Sequence, residues 1–256
     1  MWLRIMVTIF LLIIVAPILL LIPVSFNGTT AFNFPPEGFS LRWYSALVEN
    51  PQWLEAFQRS LIVATLTSLI AVILGVMAAI AVNQIDFPGK KIFANLIVAP
   101  MAIPTIIIAI ALYFSFTSYD LTNTIAGLVL GHSIIAIPFV FITVLASIQG
   151  VDKNIRLAAE SLGSTPIGVF FKITLPIIRS SIMAGFIFAF VLSLDEVVLS
   201  IFLTGPVTKT LPILMWENFN LDLDPTLAAV STLLIAAVVL TFVLFPKLIQ
   251  ISAKQK

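Results

Sequence analysis

Two adjacent acids, Asp195 and Glu196, stand inside an apolar run that is otherwise uncharged. A charged side chain at mid-bilayer costs about 2.5–3.5 kcal/mol on insertion scales, so two in succession need a reason. Three readings fit. One is a pathway carboxylate that attracts a cationic amine. Another is a structural acid that pairs with a partner subunit or with backbone groups in an unwound turn. The third is snorkelling toward the interface. Neighbours on a helix point about 100° apart, so the two acids do not serve one partner equally. The expectation is one acid facing a pathway and the other structural. The one histidine, His132, reads as a packing or hydrogen-bonded residue, or as a ligand. Pro104 and Pro138 read as kinks, or as hinges beside a gate. With Asp195 and Glu196, Pro104 and His132 complete the set of pathway candidates, and Tyr113 or Trp216 could face an alkylammonium group. With no Cys and a single His, thiolate sites and paired-His metal sites are excluded. Neither a metal site nor a catalytic residue is expected. No G-x-x-x-x-G-K-[ST] loop is present, so the chain is not expected to bind and split ATP itself.

The elements that must hold these residues follow from composition. Of 256 residues, 60% are hydrophobic and 10% charged, against roughly 45–50% and about 25% in soluble domains. A mean hydropathy of +1.15 points the same way. A soluble globule, a disordered chain and a nucleic-acid binder all fit poorly. Crossing the hydrocarbon takes about 20 apolar residues in a helix. Six stretches qualify, at about 5–24, 60–82, 92–116, 124–148, 180–203 and 226–245. Backbone groups in lipid must pair internally, so each reads as a helix. Pro17, Pro100, Pro104 and Pro138 fall inside them and predict kinks or unwound turns. The first stretch has the alternative of a cleaved signal peptide, but its apolar run is long and no small-x-small site follows cleanly. A retained helix is expected. With the N-terminus inside, ten of the thirteen basic residues fall on that side and three on the other. By the positive-inside rule this gives N-in, C-in. The expected fold is an all-α membrane protein of six transmembrane helices in one domain, residues 1–256.

Two connections are long enough to carry function. Segment 25–59 is amphipathic and aromatic, with Phe39, Trp43, Tyr44, Trp53 and Phe57. It reads as an interfacial belt, or as a docking surface for an external partner. Segment 149–179 reads as helix, Gly turn, helix. Helix formers run from Lys153 to Leu162, Gly163 stops them, and Ser164 or Thr165 caps a second helix opening at Pro166. Small Ala158 and Ala159 beside the turn make a knob that loses little side-chain entropy on docking.

This inner loop resembles the coupling loop of ABC-importer permeases, whose pattern is E-A-A-x-x-x-G, nine residues, I-x-L-P. Ala158, Ala159, Gly163, Ile173, Leu175 and Pro176 match it. Leu157 stands at the position of the motif's Glu, and Glu160 lies one helical turn later. The likeness extends to Gly131-His132, Pro138-Phe139-Val140, Ser193 to Val198, Thr204-Gly205-Pro206 and Val24-Ser25-Phe26-Asn27, and is nearest to the spermidine/putrescine type. It implies a multi-pass permease of the bacterial cytoplasmic membrane that is not itself an enzyme. It further implies a second permease subunit around a shared pathway, and two cytoplasmic ATPase subunits that dock on the loop and bind ATP and Mg. A periplasmic or lipid-anchored solute-binding protein would deliver the cargo. Related subgroups carry opines, aminophosphonates or ferric iron. An ion-coupled secondary transporter would explain intramembrane acids but not the loop, and an intramembrane enzyme lacks a nucleophile–base signature.

Overall fold

A chain immersed in lipid must satisfy its backbone within each segment, and this one does so with helices. The computed structural model describes residues 2–221 and 224–254, with side chains described to residue 240 except those of Lys153 and Arg156. Among the described residues there is no strand. The helices are α1 (Trp2–Val24), α2 (Arg42–Glu49), α3 (Pro51–Gln84), α4 (Lys90–Val98), α5 (Thr105–Thr117), α6 (Ile125–Gln149), α7 (Lys153–Ser161), α8 (Pro166–Val169), α9 (Leu175–Leu194), α10 (Val198–Leu203), α11 (Leu211–Leu221) and α12 (Thr226–Lys254). Of the basic residues counted for topology, Lys153, Arg156, Lys247, Lys254 and Lys256 lie outside the described side chains, as does the acid Asp222.

Four helical segments are long and apolar enough to cross a bilayer: Trp2–Val24, Pro51–Gln84, Ile125–Gln149 and Pro166–Leu194. A fifth, Lys90–Ala102 with Thr105–Thr117, is bent by 104°. Pro100 lies in the 3-10 turn Ala99–Ala102 and Pro104 caps α5 with an extended ψ of 129°, so the two prolines expected to break this stretch do so. Pro17 and Pro138, by contrast, sit within continuous helices. The described apolar part of the last stretch is shorter, Thr226–Leu240.

Contacts divide the chain into two compact units, Met1–Glu55 with Leu214–Lys256, and Ala56–Ile213. In the first, α1 packs on α12 and α12 on α2. The connection after α1 is organised by buried Asn27. Its Nδ2 donates to the Ala31 carbonyl at 2.7 Å and its Oδ1 accepts from the Glu37 N–H at 3.0 Å. The Trp43 indole N–H donates to the Asn27 carbonyl at 2.7 Å, and Phe26 stacks on Phe39 with centroids 4.9 Å apart. Part of the aromatic segment is therefore internal structure: Trp43 is buried, while Phe39 remains 76% exposed.

In the second unit α6 is the central element and α9 its main neighbour. Lipid supplies no hydrophobic drive between helices, so close approach through small residues holds such a bundle. Val140 of α6 lies between two glycines. A Cβ on Gly75 of α3 would stand 2.8 Å from the Val140 Cβ, and one on Gly185 of α9 would stand 3.3 Å from the Val140 Cα. Thr67 of α3 adds a buried hydrogen bond to the Val129 carbonyl of α6, at 3.4 Å.

Candidate functional site: the helix-turn-helix loop and the broken helix

The loop forms because each end of each short helix is capped locally. The Asp152 carboxylate accepts from the Asn154 N–H at 2.9 Å and opens α7. At the other end Gly163 has φ +83°. Its N–H donates to the Glu160 carbonyl at 3.0 Å, and the Ser164 N–H reaches back to Ala159 at 3.0 Å. These two bonds make a Schellman ending, which favours glycine at the left-handed position. Thr165 Oγ1 then accepts from the Gly168 N–H at 3.2 Å and starts α8, with Pro166 at its first position. Beyond α8 the helix widens into a π-type turn over Phe170–Thr174 and continues as α9, where Leu175 and Pro176 form the first turn. Ile173 lies in the wide turn.

The knob expected at the turn is open to its surroundings. Ala158 and Gly163 are exposed, and Ala159, Glu160, Ile173, Leu175 and Pro176 are half-buried. Leu162 is 87% and Ile167 71% exposed, so the turn carries an apolar tip. Nothing stands within 4 Å of where a Gly163 Cβ would be. A cleft of about 220 Å³ at the root of the loop is lined by Asn83, Gln84, Asp86, Lys90, Asp152 and Thr174 among others. It sets the loop beside the α3–α4 connection, where Lys90 pairs with Asp86 at 3.1 Å.

The stretch 180–203 is not one helix. Continuous helix ends at Leu194, and α10 begins at Val198. Asp195 and Glu196 occupy the break between them. The Glu196 carboxylate accepts from the Leu199 N–H at 2.9 Å, satisfying a first-turn donor of α10. It is half-buried, whereas Asp195 is exposed. The two acids thus differ in surroundings: the Glu196 carboxylate is engaged at the first turn of α10, and Asp195 is exposed. Hydropathy alone does not mark this break because the residues flanking it are mostly apolar and Glu196 scores as a misplaced charge rather than as a hydrogen-bond acceptor for Leu199.

His132 is fully buried on α6, opposite the break. Its Nδ1 lies 2.8 Å from Ser193 Oγ, in the last turn of α9, and its Nε2 lies 3.2 Å from Ser200 Oγ, on α10. Ser200 Oγ donates to the Glu196 carbonyl at 2.8 Å. A hydroxyl has one proton, so Ser200 must accept from an Nε2–H, and Nδ1 accepts from Ser193. Both ring nitrogens of His132 are thus engaged by hydroxyls. Around it α10 packs on α5 and α6 through Leu199, Ile108, Ala109 and Ile135. Pro104, at the 104° bend, is exposed and has none of these contacts among those described. Tyr113 and Trp216 are both exposed, and they belong to different units. The serines were not legible as site residues, since serine in an apolar run marks many things and only the fold pairs these two with a histidine more than 60 positions away.

Residues 71–250 match the family model described as the binding-protein-dependent transport system inner membrane component. The spermidine/putrescine transport system permease protein PotC of Escherichia coli (strain K12) is 32% identical over 219 residues, 86% of this chain and 83% of that protein. The putrescine transport system permease protein PotI of the same strain is 33% identical over 230 residues, 87% and 82% of the two chains. Among solved structures, a bacterial ABC transporter that imports the acidic polysaccharide alginate superposes with a TM-score of 0.76 at 13% identity, covering 95% of this chain and 94% of that one. At that identity the likeness is one of fold.

Proposed function

The chain belongs to the binding-protein-dependent transport inner membrane component family, and on that premise we propose that it is the permease subunit of an ATP-driven importer for polyamines or related small cations. It is a multi-pass inner-membrane protein. The observation that carries the reading is the exposed helix-turn-helix with its Schellman glycine, in a chain homologous to polyamine permeases. A chain without a phosphate loop draws energy from elsewhere, and an apolar-tipped knob suits a cleft on a partner. Leu162 and Ile167 supply contact area, Ala158 and Ala159 allow close approach, and Gly163 sets the turn.

In this reading two cytoplasmic ATPase subunits bind ATP and Mg and hold the loops of this chain and of a second permease. Their closure moves both loops as rigid bodies and switches the pathway between inward- and outward-facing states. Both termini and the loop face the cytoplasm, six helices cross the membrane, and both compact units serve one permease domain. A periplasmic or lipid-anchored binding protein delivers the solute. Asp195 is the pathway acid, because its carboxylate is exposed at the break while that of Glu196 caps α10. A desolvated carboxylate attracts an ammonium group strongly.

The test is reconstitution with cognate ATPase and binding protein in liposomes. ATP-dependent uptake of labelled putrescine or spermidine is expected. Uptake driven by an ion gradient without ATP would make the chain a secondary transporter instead. An opine, aminophosphonate or ferric iron as the transported solute would keep the importer and replace the cargo.

A further inference from the structure

Ser193 and Ser200 are seven residues apart, two turns on an unbroken helix, and here they lie on either side of a break. Each bonds a different nitrogen of one imidazole. A ring with one donor and one acceptor, rigid and fully buried, fixes the separation of the two hydroxyls. Ser200 passes that constraint to the backbone of the break through its bond to the Glu196 carbonyl. Glu196 closes the far side by capping α10 at Leu199. The only polar side chain of the break left outward is Asp195.

We propose that His132 is a positioning residue, a clasp that joins the end of α9 to α10 and thereby sets how Asp195 is presented. Its role in solute selection rests on the importer reading above; its control of the break does not. Among natural side chains, glutamine can replace it in part, because the amide donates to Ser200 while its carbonyl accepts from Ser193. Leucine fills the volume and makes neither bond.

The chain has no cysteine, so an Asp195→Cys protein carries a single reactive thiol at the break. In the assembled complex, the rate of labelling by a small hydrophilic maleimide reads its presentation directly. His132→Leu in this background is expected to change that rate by about fivefold or more, the scale of one or two hydrogen bonds. His132→Gln should return it to within about twofold of the parent. Ser193→Ala and Ser200→Ala should each shift it in the same direction. Adding His132→Leu to the two serine changes should do nothing further, since coupled groups are not additive. Ser133→Ala, whose hydroxyl bonds the Val129 carbonyl of its own helix, is the control for loss of a buried hydroxyl and should leave the rate unchanged. A labelling rate indifferent to His132→Leu, or equal effects from His132→Gln and His132→Leu, overturns the clasp. If His132→Leu does not assemble, the two serine variants decide the matter alone. Failure of the complex that retains Asp195 to take up putrescine or spermidine sinks the cargo, while the labelling result still judges the clasp.

Discussion

Gly205 lies against the carboxamide of Asn123, so close that any Cβ would overlap its Oδ1 and Cγ. The contact is part of a small polar knot. Thr208 Oγ1 donates to Asn123 Oδ1 at 2.8 Å and accepts from the Gly205 N–H at 2.9 Å. The Asn123 N–H donates to the Leu203 carbonyl at 2.8 Å, and Asn123 itself has φ +58°. The connection between α5 and α6 is in this way tied to the end of α10. The same turn is held to α3 by the Leu211 N–H, which donates to Ser60 Oγ at 2.8 Å.

Gly205→Ala is therefore expected to destabilise the purified permease by about 1–3 kcal/mol, the range for forcing atoms into a filled site. Thermal unfolding in detergent, followed by tryptophan fluorescence, measures it. Asn123→Gly keeps the positive φ and removes the obstructing carboxamide, so in the double variant much of the Gly205→Ala cost should disappear. Equal costs in the two backgrounds would show that the overlap is not what makes glycine necessary.

At the centre of the bundle the same logic applies to Gly75 and Gly185 on either side of Val140. Gly75→Ala meets the Val140 Cβ at 2.8 Å and the Phe141 N at 3.1 Å, and the second of these is backbone. Gly185→Ala meets its nearest atom at 3.3 Å. Gly75→Ala should accordingly cost more than Gly185→Ala, with the first near 1–3 kcal/mol. Val140→Ala removes the Cγ1 at 2.9 Å and should relieve part of the Gly75→Ala penalty, but not all of it, because alanine keeps the Cβ at 2.8 Å and the Phe141 backbone does not move aside. Melting temperatures of the four proteins settle the order.

How much of this could be read from the chain depends on the range of the interaction. The loop cap at Gly163 and the bend at Pro104 are local, decided by residues within a few positions, and both were visible. The division of 180–203 at Asp195 was present only as one of three readings, an acid bonded to backbone in an unwound turn, because a hydropathy window averages over the very residues that break the helix. Glu196 shows the difficulty in one side chain: as a number on a scale it is a costly charge, and as a geometry it is a cap on Leu199. The bonds of His132 to Ser193 and Ser200 are farther still from view, since they depend on how α6 packs against α9 and α10.

Gly163 separates backbone demand from docking demand. Its φ of +83° disfavours any residue with a Cβ, but no neighbouring atom fills the space beside it. Gly163→Asn, a residue that tolerates the left-handed region, should cost the chain little. Gly163→Trp should leave membrane insertion intact, at a backbone cost of about 1 kcal/mol, yet abolish solute-stimulated ATP hydrolysis or assembly with the ATPase. Pull-down of the ATPase and hydrolysis by the reconstituted complex distinguish the two. A Gly163→Trp complex that assembles and transports normally would remove the loop from the coupling path.

The acids of the break should part company under conservative change. Glu196→Gln keeps an oxygen that accepts from the Leu199 N–H, so transport and stability should change by less than about threefold and about 1 kcal/mol, the worth of a neutral for a charged cap. Glu196→Ala removes the cap and should cost about 1 kcal/mol of stability. Asp195→Asn leaves the fold alone and removes a charge, so it should depress polyamine uptake at least about tenfold, the loss of one ion pair in a partly desolvated site. Initial uptake rates into proteoliposomes, normalised to assembled complex, provide the comparison. Normal uptake by Asp195→Asn would take the carboxylate out of the pathway and leave it an ordinary exposed acid.

The direction in which the chain is threaded decides whether any motor can reach the loop. Ser161 ends α7 and is exposed, its hydroxyl bonded only within its own helix to the Leu157 carbonyl at 2.9 Å among the described contacts. Ser161→Cys is therefore a mild change, and it installs the sole thiol of the chain. The proposed topology, with both termini inside, predicts that a membrane-impermeant maleimide leaves this thiol unlabelled in intact spheroplasts and modifies it in inside-out vesicles. Bound ATPase should then shield it, since Ser161 lies two positions from the Gly163 turn. Labelling from outside would put the knob in the compartment that holds no ATPase. Labelling from inside that ignores the ATPase would place the docking surface elsewhere on the same face.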